Sequence, residues 1–401
     1  MRIAFITHEP FYPPSGGGSA EAIYLVREFV SRGHELHLFC PRIDDAENVQ
    51  REFRVTLHEF KRWQMTRYTR FRSLKYLLYP AAIQRLVEEV AHQTPFDLVF
   101  SQHAISAVAA GRLKERLQVP VVMNFLDYLT GFMETWPGYL APPPLLRQLK
   151  KFELSLPNRY GADGVLTVSD TLADYFAAVG YPRERILPIH YGFDSSFFPL
   201  RPESVAETAN DPPTIVMHGS LDHHHLKGIA LDAMAFVVQN RPDAVFKFVG
   251  RETPTLKGFL ERVSRRLPGT LVECTGFVPY NEVSRHLAES SLGIVPYEES
   301  MGTHCAFVAK IVEYLAVGLP VVSTPLDGAG RYFGDEPMVR FSDFDGISFG
   351  RKIMSWVLDP PELRQHFARA ASERVRKELD WRVISHRAAD FVEWICQLPR
   401  G

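Results

Sequence analysis

The chain reads as an α/β protein made of two successive units, each built on a parallel sheet. Three observations carry this. Apolar strand-like runs alternate with amphipathic helical stretches along nearly the whole length, the rhythm of a parallel sheet. The alternation stops at Pro199 to Pro213, a linker-like stretch rich in Pro, Glu, Asn and Asp, and then restarts. With 401 residues and 46% hydrophobic content, the chain can bury two cores of ordinary domain size. Two such units without repeated sequence predict two similar domains facing a cleft.

Taken in order, Arg2 to Ile6 reads as a buried strand, followed by a Pro/Gly loop and a helix from about Ser19 to Arg32. Ala22, Val26, Phe29 and Val30 form the apolar stripe of that helix, and Gly33 stops it. Further strands are expected at Glu35–Cys40, Leu98–Ser101, Val119–Asn124, Gly164–Val168 and Arg185–Ile189. After the linker come a strand at Thr214–His218, a helix at Ile229–Asn240, a strand at Val245–Val249 and a helix at Lys257–Leu267. Strands at Leu271–Thr275, Gly293–Val295 and Pro320–Ser323 follow. Just before the last of these, Ile311, Val312, Leu315 and Ala316 repeat at helical spacing, which puts Lys310 and Glu313 on a different face. Gly318 ends that helix. A carboxylate near a strand crevice is placed to read sugar or ribose hydroxyls, whereas a surface i,i+3 ion pair is the plainer alternative.

Composition narrows the class. A formal net charge of −2 gives no sign of a nucleic-acid binder. Cys40, Cys274, Cys305 and Cys396 lie far apart with no CxxC pair, which favours a reducing compartment and disfavours a structural zinc site. The opening strand runs too soon into Thr7-His8-Glu9-Pro10 to be a signal peptide, and no apolar run approaches the roughly 18 residues of a membrane helix. The expectation is a cytoplasmic protein.

Three loops carry chemistry. Pro13-Pro14-Ser15-Gly16-Gly17-Gly18-Ser19 joins a strand to a helix. Its glycines permit close backbone approach, the helix N-terminus offers free N–H groups, and Ser19 is the expected N-cap. A dinucleotide fingerprint fits poorly, because Glu21 stands where the third glycine would be. The second loop, His218-Gly219-Ser220 followed by Leu221 to Gly228, sets Lys227 just ahead of a helix, where ammonium and helix terminus together can hold a diphosphate. His223, His224 and His225 invite a metal reading. Consecutive residues rarely converge on one ion, so a polar lining of the phosphate site is preferred. The third, Thr275 to Tyr280, could read a base edge with backbone groups while Phe277 or Val278 packs on its face.

Together these stretches resemble the retaining glycosyltransferases of family 4, over almost the whole chain. The similarity runs in order through Gly17-Gly18, Arg32-Gly33-His34-Glu35-Leu36, Val165 to Ser169 and Ile186 to Asp194. It continues through Gly219 with Lys227-Gly228, Val249-Gly250, Gly276 to Pro279 and Glu313 to Val322. The resemblance implies the GT-B fold of two Rossmann-like domains. An acceptor-binding domain would span 1–198 and a nucleotide-sugar-binding domain 199–375, with 376–401 crossing back to the first from Trp381 onward. It implies that Lys227 binds the donor diphosphate, Glu313 the ribose, and the backbone at Phe277-Val278 the base. Gly17-Gly18 would border the reaction centre. Gly219, Ser220, Gly302, Thr303 and Lys310 complete the expected donor set. Retention of anomeric configuration is implied by the resemblance, and no metal or other cofactor is expected.

The sequence also departs from the family pattern. The position matching an earlier family glutamate holds Cys305, so Glu299 in Glu299-Ser300-Met301-Gly302 is the candidate replacement, displaced by a longer loop. Otherwise Gly302-Thr303-His304 substitutes for it. Ser220 stands where an arginine is often found, leaving His223–His225 or Arg251 to compensate. Leu126 occupies a place where histidine is common, which makes Asp127 the first acceptor-side candidate and His103 the second. The candidate catalytic groups are therefore Asp127, His103 and Glu299. Hinges are expected near Asp194 and Ala370. From Lys61 to Tyr79 the chain carries six basic residues, no acid and five interleaved aromatics, a surface suited to a lipid headgroup or lipid-linked acceptor at a membrane face. The expected activity is sugar transfer from a nucleoside-diphosphate sugar to a glycan, lipid-linked or small-molecule acceptor. Epimerisation, phosphorolysis or non-catalytic sugar-nucleotide binding on the same fold are the alternatives.

Overall fold

A computed structural model describes residues 1–13, 17–61, 72–202 and 212–399. The chain divides into one unit of Met1–Tyr191 with Trp381–Gly401 and a second of Gly192–Asp380. The divisions thus fall at 192 and 381, not at 199 and 376. The Phe193 N–H donates to the Leu379 carbonyl at 3.1 Å, and the Arg376 guanidinium donates to the Ser195 carbonyl at 3.0 Å. These bonds tie the segment after 191 to the end of the last helix of the second unit. Ala370 lies inside that helix.

The first unit runs β1 (Arg2–Thr7), α1 (Gly17–Ser31), β2 (Glu35–Pro41), α2 (Ala46–Phe53), β3 (Thr56–Phe60), α3 (Arg72–Gln93), β4 (Leu98–Gln102), α4 (His103–Leu117) and β5 (Val121–Phe125). It continues with α5 (Leu129–Phe132), α6 (Pro143–Arg159), β6 (Gly164–Thr167), α7 (Asp170–Ala178) and β7 (Ile186–Pro188). The second unit runs β8 (Thr214–His218), α8 (Gly228–Asn240), β9 (Val245–Val249), α9 (Pro254–Arg266), β10 (Leu271–Cys274), α10 (Tyr280–Ala288) and β11 (Leu292–Val295). Then come α11 (Met301–Cys305), α12 (Ala309–Ala316), β12 (Val321–Ser323), α13 (Asp327–Phe333), β13 (Val339–Phe341), α14 (Gly346–Leu358) and α15 (Pro361–Leu379), before α16 (Trp381–Gln397) returns to the first.

The sheets are seven-stranded, ordered β3-β2-β1-β4-β5-β6-β7, and six-stranded, ordered β10-β9-β8-β11-β12-β13. All the paired strands are parallel, with Ile3 level with both Leu36 and Leu98. Strand order reverses between β1 and β4 and again between β8 and β11. Ligands of open α/β sheets bind at such points, beyond the carboxyl ends of the strands. Strands β4, β5, β6, β11 and β12 are buried along their whole length, which is why they read as mainly apolar runs, with polar residues near the carboxyl ends of β4, β5, β6 and β12.

Helix α16 packs on α1. The Arg32 guanidinium reaches Glu28 at 2.7 Å, Asp390 at 2.7 Å and Glu393 at 3.0 Å, and Tyr24 stacks on Trp381 with ring centroids 5.7 Å apart. Gly33, at φ 79°, ends the turn after α1 as expected. Helix α1 begins at Gly17, however, so Ser19 lies within its first turn and is buried, not the cap. Pro14 to Gly16 lie outside the described residues.

Gly293 in β11 has no space for a side chain, since an added Cβ would fall 2.5 Å from the buried Tyr314 ring. Gly293→Ala is therefore expected to destabilise the protein by about 1–3 kcal/mol. Chemical denaturation with an unchanged slope would show it.

Candidate active site

At the carboxyl edge of the second sheet, β8 ends in His218, and Gly219 follows at φ 93°. A Cβ on Gly219 would stand 3.6 Å from Lys310 Nζ, and a Cβ on Gly250, after β9, would lie 2.4 Å from the Gly219 carbonyl oxygen. Gly250 also forms a bridge with Gly276, after β10. These glycines bring strand-end backbones together around the Lys310 side chain.

Helix α12 is buried on all sides, with Lys310 only 9% and Glu313 only 6% exposed, so the two do not form a surface pair. Buried charges need partners, and each finds its own. The Lys310 ammonium donates to the Tyr297 hydroxyl at 3.3 Å and lies 3.2 Å from His225 Nε2. Glu313 accepts from His218 Nε2. His225 is fully buried, its Nδ1 accepting the Asp222 N–H at 3.2 Å, and its ring lies 4.5 Å from that of Tyr297. The histidine run is thus a packed turn. Among the described residues no three His, Cys, Asp or Glu side chains gather to hold a metal ion.

Lys227 stands at the N-cap of α8. Burial pulls its ammonium pKa down, and the nearby Glu298 carboxylate pulls it back up. Glu298 Oε1 accepts the Ile229 N–H at 3.1 Å, while the Glu298 N–H donates to the His224 carbonyl at 2.9 Å. The contacts therefore run without a break from Lys227 through Glu298 and the 222–226 turn to Lys310.

The other expected donor-side residues are placed differently. Glu299 has a 68% exposed side chain, 3.7 Å from His304 Nε2, so the carboxylate at Lys227 is its neighbour Glu298. Gly302 and Thr303 are buried in α11, where the Thr303 hydroxyl donates to the Glu298 carbonyl at 2.9 Å and shapes that loop. Ser220 is exposed. Phe277 is 60% exposed beneath the Arg251 guanidinium, 4.6 Å from the ring centroid, so Arg251 is engaged there, and Val278 is half-buried. His218, His225, Tyr297 and Glu298 were missed as partners. Each ends or follows a strand, and that position was the available signal.

The first unit has a polar edge of its own where β1 and β4 part. His103 opens α4 at φ 68°, and its Nε2 lies 3.6 Å from Glu9 Oε2. A Cβ on Gly18 would fall 2.6 Å from that nitrogen, so only glycine fits, and the Gln102 amide donates to the Gly18 carbonyl at 2.8 Å. Asp127, after β5, is exposed. Behind it Glu21 is 3% exposed and accepts the Asn124 amide at 2.8 Å. Burial pushes its carboxyl pKa up to about 8, the Asn124 bond opposes this, and the Asp127 charge adds to it. Glu21, Asn124, His190 and Trp381 line a crevice too narrow for a water molecule, which keeps that burial penalty in force.

Comparison with known proteins completes the picture. Residues 15–197 match the family model Glycosyltransferase Family 4, and residues 212–353 match Glycosyl transferases group 1. The chain belongs to this family and is a glycosyltransferase of the GT-B fold. Among solved structures it is similar to sucrose-phosphate synthase from Thermosynechococcus elongatus, at TM-score 0.78 and 14% identity over 98% of each chain. HepE of Anabaena in complex with UDP and glucose gives TM-score 0.74 and 18% identity, over 98% of this chain and 99% of that one. A putative UDP-N-acetylglucosamine 2-epimerase from Listeria monocytogenes gives TM-score 0.58 and 13% identity, over 98% and 95%. Identities this low speak for the fold alone, which transferases and an epimerase share. A sequence comparison with curated proteins returns no match.

Among the described residues no helix is long and apolar enough to cross a membrane. Most of the basic aromatic run of 61–79 lies outside the described residues. At its end Tyr79 is buried, edge-on to Phe60 at 5.4 Å.

Glu21 generates a test with a definite sign. Its folded-state pKa lies above the unfolded value, so its contribution to stability is full below pH 4.5 and is lost as pH rises through about 8. Glu21→Gln cannot ionise. Relative to wild type it should gain stability steadily from pH 5 to pH 8, by on the order of 4 kcal/mol at the upper end. Denaturation curves across that range check it, and a constant difference would show that Glu21 titrates normally.

Proposed function

We propose that this protein transfers a sugar from a nucleoside-diphosphate sugar held at the carboxyl edge of the second sheet, with retention and without a metal ion. The observation that carries the reading is the buried pair on α12, Lys310 and Glu313, both engaged with the end of β8 and the turn after it. Lys310, Lys227 and the α8 N–H groups suit the diphosphate, stabilising it as it departs with the bonding electrons. Glu313 suits the ribose hydroxyls, which donate to an ionised carboxylate. Phe277 with Arg251 offers an exposed face to the base. UDP-glucose is the first donor to test, because the similar HepE structures contain UDP and UDP-glucose.

Acceptor binding is assigned to the first unit, with His103 and Asp127 as the groups nearest the acceptor hydroxyl. The basic aromatic run of 61–79 keeps a lipid-linked acceptor and weak contact with an anionic membrane face within this reading. Cytoplasmic residence belongs to the same proposal.

Calorimetric titration with UDP, ADP, GDP and UDP-glucose tests the site. Lys227→Ala, Lys310→Ala and Glu313→Ala should each weaken binding by roughly tenfold or more. Unchanged affinity in all three would remove the reading. With a working donor and acceptor, turnover should survive excess EDTA and the product should keep the donor's anomeric configuration by NMR. Loss of turnover restored by a divalent cation would refute the metal-free mechanism.

A further inference from the structure

We propose that His218 is a positioning residue that fixes the Glu313 carboxylate for a ribose diol and so sets a preference for ribonucleotides over deoxyribonucleotides. The proposal rests on the donor-site reading above.

The imidazole closes β8 and is 4% exposed, with Nε2 against Glu313 Oε2. Its ring meets that of Tyr314 edge-on, with centroids 4.9 Å apart at 74°. Tyr314 is fully buried and anchored by its hydroxyl, which donates to the Val216 carbonyl at 3.2 Å. The imidazole is therefore wedged between the strand it terminates and the helix that carries Glu313.

Proton accounting gives the tautomer. An ionised carboxylate only accepts, so His218 Nε2 must carry the proton and donate. His218 Nδ1 is buried without a hydrogen-bond partner, so the bond to Glu313 is the one that fixes the ring's orientation toward the site. Through Nε2–H the imidazole holds one carboxylate oxygen and leaves the remaining lone pairs of Glu313 able to accept. Lys310 stands one turn earlier on the same helix and could have neutralised that carboxylate. Its ammonium is directed instead to Tyr297 and His225. The result is a buried carboxylate that is held in place and able to accept further hydrogen bonds. Two adjacent hydroxyls can supply them, whereas a deoxyribose lacks one.

The experiment titrates UDP, ADP, GDP and their 2′-deoxy counterparts against wild type, His218→Leu, His218→Gln and Glu313→Gln, with melting temperatures measured in parallel. Wild type should bind a ribonucleotide roughly tenfold more tightly than its deoxy form. His218→Leu should lose most of that ratio through weaker ribonucleotide binding, with deoxy affinity nearly unchanged. His218→Gln keeps an N–H where Nε2 was and should retain most of the ratio. A ratio unchanged in His218→Leu, or lost equally in a stably folded His218→Gln, overturns the proposal. Should His218→Leu fail to fold, His218→Asn replaces it, its shorter amide falling short of the carboxylate, with the same expected loss. If Glu313→Gln lowers affinity and the ratio while His218→Leu does not, the positioning role alone fails. If Glu313→Gln changes neither, or no ribonucleotide binds wild type, the donor-site reading itself fails.

Discussion

Lys310 and Glu313 sit one turn apart on α12, both buried, and they do not bond to each other. Taking either charge out of water unpaired would cost several kcal/mol, so each draws partners in from elsewhere. Lys310 donates to the Tyr297 hydroxyl after β11 and lies against His225 in the 222–226 turn. Glu313 engages His218 at the end of β8. The helix is therefore clamped to the two central strands at the point where strand order reverses. Gly219, beside Lys310, takes φ 93°, a left-handed backbone conformation that favours glycine. Glu298, whose N–H donates to the His224 carbonyl and whose carboxylate accepts the Ile229 N–H, carries the same chain of contacts on to Lys227.

The first unit handles its buried carboxyl differently. Among the described residues no cation serves the Glu21 carboxyl group; amides from Asn124 and Gln102 do, and Asp127 opposes its ionisation. It is mostly protonated at neutral pH, a neutral strut between α1 and the strand ends. The edge beside it keeps its polar groups closer to solvent. Glu9 is nearly half exposed opposite His103, and Asp127 is exposed. A fixed, charged pair in one unit suits a ligand with charges of its own.

Much of this was legible in the sequence. Thr214–His218 and Val245–Val249 were read with their final bounds, because strands buried on both faces leave an unbroken apolar run and the next loop opens on glycine. β3 was missed because Thr56–Phe60 lies at the sheet edge and mixes polar with apolar residues, and β13 because three residues make no pattern. Lys310 and Glu313 were singled out, but periodicity set them only on a face other than the apolar stripe, with a surface ion pair as the plainer alternative. A helix buried on every side has no exposed face, and spacing cannot reveal that. Glu299 was chosen over Glu298 by analogy of motif. Adjacent residues leaving a strand point in opposite directions, so only coordinates could show which one turns toward Lys227.

The placement of Glu298 has a consequence for how a diphosphate would be held. Its carboxylate already accepts the Ile229 N–H at the start of α8, beside the Lys227 ammonium. The family's arginine is absent at Ser220, and Arg251 lies over Phe277 instead. Counting side chains, Lys227 and Lys310 are matched by Glu298 and Glu313, so the site offers a diphosphate no large excess of positive charge. Attraction must then come from short-range geometry: the remaining free N–H groups of α8, the backbone near Gly219, and two ammonium groups whose own partners are neutral or shared. That follows from the chain's own carboxylates, whatever sugar the donor carries.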